Sequence, residues 1–314
     1  MTHKNKAVLI TDKVVPASPL DNVLKFKNFN EIQVELYDFY EGNLLTPDNR
    51  KDFYKVVVQN TINKNYPTTD HLITCVKIGE VNFLYVSLDN SVRANMNGFP
   101  LYKRLDAICQ VLNNIINKLD KCIVYFSESC RYSFLGDRDK KENITSWLSI
   151  RDMISERCNL QFIIEKKNND DSSDMSFGIS VFCTSSVKNY IQTYFVKSIL
   201  LEAFGSVAVG IKLKTGQIIW GIHFPLDFKT EGENNPGYKT MVNLQYLMEE
   251  YSGSVCAFGD FNTVPGNISD SINKAIRSDF EFMLVDELTF FGTYFDTIPI
   301  DNNDERISIL DSIN

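Results

Sequence analysis

Apolar runs of strand length are the feature of this chain that most restricts its fold. Helical periodicity is clear in only two places, over Tyr102 to Leu119 and over Met241 to Tyr251. The residues Lys214-Thr215-Gly216 separate the apolar runs Val207 to Leu213 and Gln217 to His223, as the turn of a β-hairpin does. Because strands outnumber helices, the sequence predicts mixed sheets with helices outside rather than a purely parallel sheet. The predicted strands are Leu72 to Ile78, Val81 to Leu88, Cys122 to Phe126, Gly178 to Cys183, Val207 to Leu213, Gln217 to His223 and Val255 to Phe258.

Size and charge narrow the classes of function. A chain of 314 residues with 44% hydrophobic content can bury a large core, as one large α/β domain or as two smaller ones. The net charge of -8 argues against wrapping a long nucleic acid, since that mode requires many Lys and Arg residues to displace counterions. A short phosphate-bearing substrate held through a metal ion stays compatible with this charge.

Cysteine usage and hydropathy bear on the compartment. The seven cysteines lie mostly inside apolar runs and form no close metal-ligand pairs. They are typical of small core residues in a reducing environment. The first residues hold too short an apolar run for a signal peptide, and no run is long enough to span a membrane. An intracellular location, cytoplasmic or nuclear, is therefore predicted.

The stretch Gly259-Asp260-Phe261-Asn262 follows the apolar run that begins at Ser254. Two residues apart on an extended backbone, Asp260 and Asn262 point the same way and can reach one phosphate or one water. Glycine before them permits close approach of backbone or substrate. The same residues are also ordinary turn formers, so a simple strand-to-turn junction is the alternative.

Two other predicted strands end in residues that can carry chemistry. Glu128 follows the run from Cys122, and a carboxylate at a buried strand end favours a metal ligand, with a solvated strand end as the alternative. Arg131 can contact a phosphate or pair with an acid. His223 closes the run from Gln217, where it is either a structural histidine or a third functional residue at a strand end.

Taken in order, these motifs resemble the endonuclease/exonuclease/phosphatase superfamily. In that family a helix leads into a strand that ends in a metal-binding Glu, matched here by Glu128. A later strand ends in His followed by an apolar residue, matched by His223-Phe224, and a Gly-Asp-x-Asn strand follows, matched by Gly259 to Asn262. Leu288-Thr289-Phe290 resembles the family's Thr-Phe segment. The run around Asp311 resembles its Asp-bearing strand.

One motif of the family lies in an unexpected place. The Ser-Asp-His that opens the family's last strand is not found after Asp311, whereas Thr69-Asp70-His71 precedes the run from Leu72. That run passes through the turn Gly79-Glu80 into a second run that resembles the family's first strand. A circular permutation is therefore predicted, since close surface termini tolerate such rearrangement. The alternative is a surface histidine in a fragment or an inactive relative.

The resemblance implies a fold and a set of roles. The fold is a four-layer α-β-β-α sandwich of two packed mixed sheets, DNase I-like, with residues 1–314 as one domain and 1–79 as the displaced C-terminal part. Mg²⁺ or Mn²⁺ is the implied cofactor. The implied metal ligands are Glu128, Asp70, Asp89 and Asn90. The implied catalytic residues are His71, His223, Asp260, Asn262 and Asp311. The implied substrate-binding residues are Arg131 and Asn262.

The implied activity is metal-dependent hydrolysis of a phosphate ester by an activated water. A nuclease or an end-processing phosphodiesterase acting on short or end-bound nucleic acid is the first expectation. A lipid or nucleotide phosphohydrolase is the second, and an inactive binding module on the same fold is the third, because fold does not fix function.

Overall fold

A computed structural model describes residues 21–46, 48–49, 53, 72–88, 101–129, 132–134, 147–167, 178–200, 206–224, 232–261 and 272–284. Its helices are α1 (Leu101–Leu119), α2 (Ile150–Cys158) and α3 (Pro236–Glu250). Its strands are β1 (Asp21–Phe26), β2 (Ile32–Asp38), β3 (Leu72–Ile78), β4 (Val81–Ser87), β5 (Cys122–Ser127), β6 (Tyr132–Phe134), β7 (Trp147–Ser149), β8 (Gln161–Lys167), β9 (Gly178–Cys183), β10 (Ile191–Leu200), β11 (Ser206–Leu213), β12 (Ile218–His223), β13 (Ser254–Asp260) and β14 (Phe280–Leu284).

Two six-stranded mixed sheets form the centre of the protein. Sheet A has the order β10-β11-β12-β13-β1-β14, and sheet B has the order β2-β3-β4-β5-β9-β8. The β12–β13 and β4–β5 pairs are parallel, while their neighbours in both sheets are antiparallel. The predicted hairpin of β11 and β12 is present. The prediction of mixed sheets is therefore confirmed.

The helices and sheets form four layers, with an apolar cluster between each pair of neighbouring layers. The central cluster fills the space between the sheets with residues such as Tyr125, Val209 and Phe258. A second cluster packs α1 and α2 on the outer face of sheet B, and a third packs α3 on the outer face of sheet A. The predicted α-β-β-α sandwich of two packed mixed sheets is thus confirmed. The circular permutation stays a prediction.

The two predicted helices are present, and both begin before their predicted starts. The stripe on α1 that includes Leu105, Leu112 and Ile115 is buried against sheet B. Helix α3 begins at Pro236, five residues before the predicted start at Met241. The Asn235 side chain accepts hydrogen bonds from the first backbone N–H groups of the helix, and Pro236 is preorganised for its first turn. These capping residues, not the apolar stripe, determine the start.

Residues from the first quarter of the chain enter both sheets. Strand β1 lies between β13 and β14 in sheet A. Strands β2 and β3 pair with each other in sheet B, and β3 forms an antiparallel hairpin with β4 through Gly79 and Glu80. Within the part of the chain that the structure describes, no helix has the length and apolar character required to cross a membrane.

Candidate active site

The candidate site lies where two pairs of parallel strands end. In sheet B, β4 and β5 run side by side to Ser87 and Ser127. In sheet A, β12 and β13 run side by side to His223 and Asp260. Because parallel strands have their carboxyl ends at the same edge of a sheet, each pair presents the residues at its end together.

Three side chains converge at this edge from both sheets. Glu128, His223 and Asp260 each offer one potential ligand atom, and these atoms all lie within 4.8 Å of one another. They are separated in sequence by more than 30 residues and were predicted from three different strand ends. The fold therefore brings together the carboxylates of Glu128 and Asp260 and the imidazole of His223.

Glu128 is held in a tight turn immediately after β5. Its backbone φ is 49°, in the left-handed region that residues other than glycine seldom adopt. The next residue fixes this turn to β9, because the Ser129 N–H donates to the Gly178 carbonyl and the Ser129 and Ser180 hydroxyl groups lie 2.7 Å apart. This turn places Glu128 at the end of β5, close to His223 and Asp260 of sheet A.

His223 and Asp260 form a buried pair. Asp260 is fully buried, His223 is 9% exposed, and His223 Nε2 lies 3.5 Å from Asp260 Oδ2. The Phe224 N–H donates to the Asp260 carbonyl over 2.8 Å, which joins the two strand ends. Burial lowers the pKa of His223 to about 4. The imidazole is therefore neutral at pH 7 and offers one N–H donor and one lone pair.

Two buried polar atoms near the strand ends have no hydrogen-bond partner among the described residues. They are Nδ1 of His223 and Oγ of Ser127. Ile123 and Tyr125 face the space between the sheets, so Ser127, two residues further along β5, lies on that same face. Buried polar atoms without partners are costly, so groups other than the described residues are expected to complete the hydrogen bonding of these two atoms.

The donor set fits a divalent cation. Carboxylate oxygens are the ligands that Mg²⁺ and Mn²⁺ prefer, and a group of this size can share one such ion. A buried carboxylate such as Asp260 is stabilised by a nearby cation, because desolvation otherwise penalises its charge. The neutral imidazole of His223 suits a hydrogen-bonding role beside the ion.

Most of the predicted site residues lie outside the described residues. The predictions for His71, Asp70, Asp89, Asn90, Arg131, Asn262 and Asp311 are therefore left as predictions. Ser127 was not predicted as a site residue. Its only sign in the sequence is a hydroxyl at the end of an otherwise apolar strand, directly before Glu128.

Acidification is expected to destabilise the metal-free protein through His223. With a pKa of 6.5 when unfolded and about 4 when folded, this histidine binds more protons in the unfolded state between those values. The free energy of unfolding therefore falls as the pH drops through this window, by about 2 kcal/mol between pH 7 and pH 5. Denaturant unfolding in EDTA at both pH values should show this loss in wild type and a smaller loss in His223→Asn. Equal losses in the two proteins would contradict the burial of a neutral imidazole.

The fold defines a structural class. Two packed mixed sheets lie between outer helices, and a carboxylate, an imidazole and a second carboxylate meet at the joint ends of two parallel strand pairs. This is a DNase I-like α/β sandwich, the architecture that the sequence predicts.

Comparisons with known proteins gave similarity to solved structures only. The sequence matches no family model, and no curated protein matches it. An endonuclease/exonuclease/phosphatase family protein from Leptotrichia buccalis is 14% identical, with a TM-score of 0.38 over 63% of this chain and 72% of that chain. The human Nocturnin catalytic domain is 15% identical, with a TM-score of 0.34 over 54% of this chain and 60% of that chain. ANGEL2, described as a 2′,3′-cyclic phosphatase, is 13% identical, with a TM-score of 0.35 over 59% of this chain and 53% of that chain.

Proposed function

We propose that this chain is a divalent-metal-dependent phosphodiesterase of the nuclease type, which hydrolyses a phosphate ester with an activated water. The observation that carries the proposal is the convergence of Glu128, His223 and Asp260 within 4.8 Å at the joint ends of the β4–β5 and β12–β13 pairs. Two carboxylates and a neutral imidazole in one small volume suit the binding of a cation and a phosphate together.

The proposed roles follow from chemistry and position. Glu128 would hold Mg²⁺ or Mn²⁺, together with Asp70, Asp89 and Asn90 by the sequence prediction. When bound, the ion would supply Lewis acidity and would neutralise charge that grows on the phosphate. Asp260 would orient the attacking water and accept its proton, a role that its buried carboxylate can serve as a base.

The remaining residues are assigned to the phosphate and the leaving group. The neutral imidazole of His223 would donate a hydrogen bond to a phosphate oxygen as charge develops there. Asn262 and Arg131 would bind the phosphate. His71, oriented by Asp311, would protonate the leaving oxygen or stabilise the pentavalent state.

We also propose that the fold is circularly permuted within one domain of residues 1–314. Strand β3 forms a short hairpin with β4, the strand that resembles the family's first strand, and this supports its role as the displaced last strand. Strand β1 lies between β13 and β14, which supports residues 1–79 as the displaced C-terminal part of the same sandwich.

Cleavage assays on a panel of phosphate esters would test the function. We expect the purified chain to hydrolyse short single-stranded or end-bearing DNA or RNA when Mg²⁺ or Mn²⁺ is present. EDTA should abolish the activity, since the ion supplies much of the charge stabilisation. Hydrolysis of phospholipid or of free nucleotides alone would assign the site to a different phosphoesterase substrate. Failure to cleave any of these, with no calorimetric binding of either ion, would contradict the proposal.

A further inference from the structure

A tyrosine from sheet B reaches across the sandwich to the strand that carries His223. Tyr85 lies on β4 and is fully buried between the sheets. Its hydroxyl donates a hydrogen bond of 2.7 Å to the backbone carbonyl of Ile222 on β12. Ile222 directly precedes His223, so this contact holds the backbone immediately before the candidate site.

The ring of Tyr85 also lies against the residue before Asp260. A Cβ placed on Gly259 would lie 2.4 Å from Tyr85 Cε2 and 2.5 Å from the Ile222 carbonyl oxygen, and Gly259 has a φ of 133°. Only glycine permits this approach without displacement of the ring or of β12. The same ring contacts Phe258 edge-to-face, with the centroids 5.8 Å apart. One side chain thus contacts both strands at the positions just before His223 and Asp260.

A second tyrosine has the same construction but a different position along the strand. Tyr125 on β5 is also fully buried, and its hydroxyl donates to the Ile219 carbonyl over 3.2 Å. A Cβ on Gly221 would lie 2.1 Å from Tyr125 Cδ1, so this ring also occupies a space left by a glycine. Its carbonyl acceptor, however, lies four residues before His223. Tyr125 is therefore a matched internal control for Tyr85.

We propose that Tyr85 is a positioning residue that sets the placement of His223 relative to Asp260 from the opposite sheet. The inference rests on the proposed function, and it assigns to that site a residue that does not touch the substrate. Its physical basis is that the 3.5 Å separation of His223 and Asp260 depends on where β12 ends relative to β13. The Tyr85 hydroxyl fixes that end of β12, and its ring contacts Gly259 on β13.

The kinetic test compares Tyr85→Phe with Tyr125→Phe. Each substitution removes one buried hydroxyl and leaves the ring that fills the glycine space, so both should lower the midpoint of thermal unfolding to a similar extent. Tyr85→Phe should lower kcat by on the order of 10-fold to 100-fold with KM within about twofold of wild type, as expected for misplaced catalytic groups. Tyr125→Phe should keep kcat close to wild type. Equal loss of kcat in both variants would overturn the proposal.

A second readout needs neither metal nor substrate. The chain has 3 histidines, so the imidazole NMR signals of His223 in metal-free protein can be assigned with His223→Asn. These signals should shift in Tyr85→Phe and stay unchanged in Tyr125→Phe. Unchanged His223 signals in Tyr85→Phe would overturn the positioning role even if the enzyme is active. Conversely, a wild type that hydrolyses no phosphate ester would contradict the proposed function and leave this readout to decide the positioning role alone.

Discussion

Replacing Asp260 with asparagine is expected to lower metal-dependent phosphodiester hydrolysis by on the order of 10³-fold or more. The substitution keeps the size of a side chain that is fully buried, so the packing around β13 is retained. It removes the negative charge from a group that lies 3.5 Å from His223 and within 4.8 Å of a potential ligand atom of Glu128. An amide cannot accept a proton from water at neutral pH, so the proposed role of this position as a base is lost, and the negative charge beside the proposed cation is lost with it.

The measurement is kcat/KM on the best substrate of the wild type, together with calorimetric binding of Mn²⁺ to both proteins. Asp279→Asn is a suitable control, because Asp279 is an exposed carboxylate paired with Arg277 just before β14. The register of β1 with β13 and β14 puts Asp260 and Asp279 at opposite ends of sheet A. Asp279→Asn should keep full activity. Wild-type activity in Asp260→Asn would remove this residue from the mechanism.

The parts of the fold that were predictable from sequence are those with continuous burial. Strands β5, β12 and β13 are buried along their whole length, and their apolar runs end at the polar residues that reach the site. Because each apolar run stops abruptly at a polar residue, the sequence alone indicated Glu128, His223 and Asp260 as strand-end residues. That they meet follows from the parallel pairing of neighbouring strands and from the packing of the two sheets.

Elements at the edges of the fold could not be predicted in this way. Strand β10 is an edge strand of sheet A, and it contains three consecutive exposed residues, Gln192, Thr193 and Tyr194, so it lacks a continuous buried apolar run. Helix α2 is short and its apolar stripe is weak, but Met153 and Ile154 are buried by packing on sheet B. In both cases tertiary contacts, rather than local pattern, stabilise the element.

Contacts between distant segments were also beyond sequence reasoning. Tyr85 and Ile222 are 137 residues apart, and Tyr85 is one of several aromatic residues in apolar runs. Its contact with Gly259 depends on how the two sheets face each other. Similarly, the sequence contains the Ser127 hydroxyl but gives no sign that this buried group lacks a partner among the described residues.

Replacing His71 with alanine is expected to lower kcat by on the order of 10²-fold to 10⁴-fold, the range for loss of a general acid. The expectation depends on the proposed permutation. Leu72, the residue after His71, begins β3, and the antiparallel pairing of Thr74 with Tyr85 places the beginning of β3 beside the end of β4. That is the edge at which the parallel neighbour β5 leads into Glu128.

His3 is the matched control for this experiment, since it is the one histidine for which no role is proposed. His3→Ala should retain wild-type kcat, and His71→Ala should retain the wild-type unfolding midpoint, so that the loss of rate reflects chemistry rather than stability. Added imidazole should restore part of the rate of His71→Ala, because a small general acid can occupy the space of the missing side chain. If His71→Ala is fully active while Asp260→Asn is inactive, the site exists without His71, and residues 1–79 then do not supply the family's final catalytic histidine.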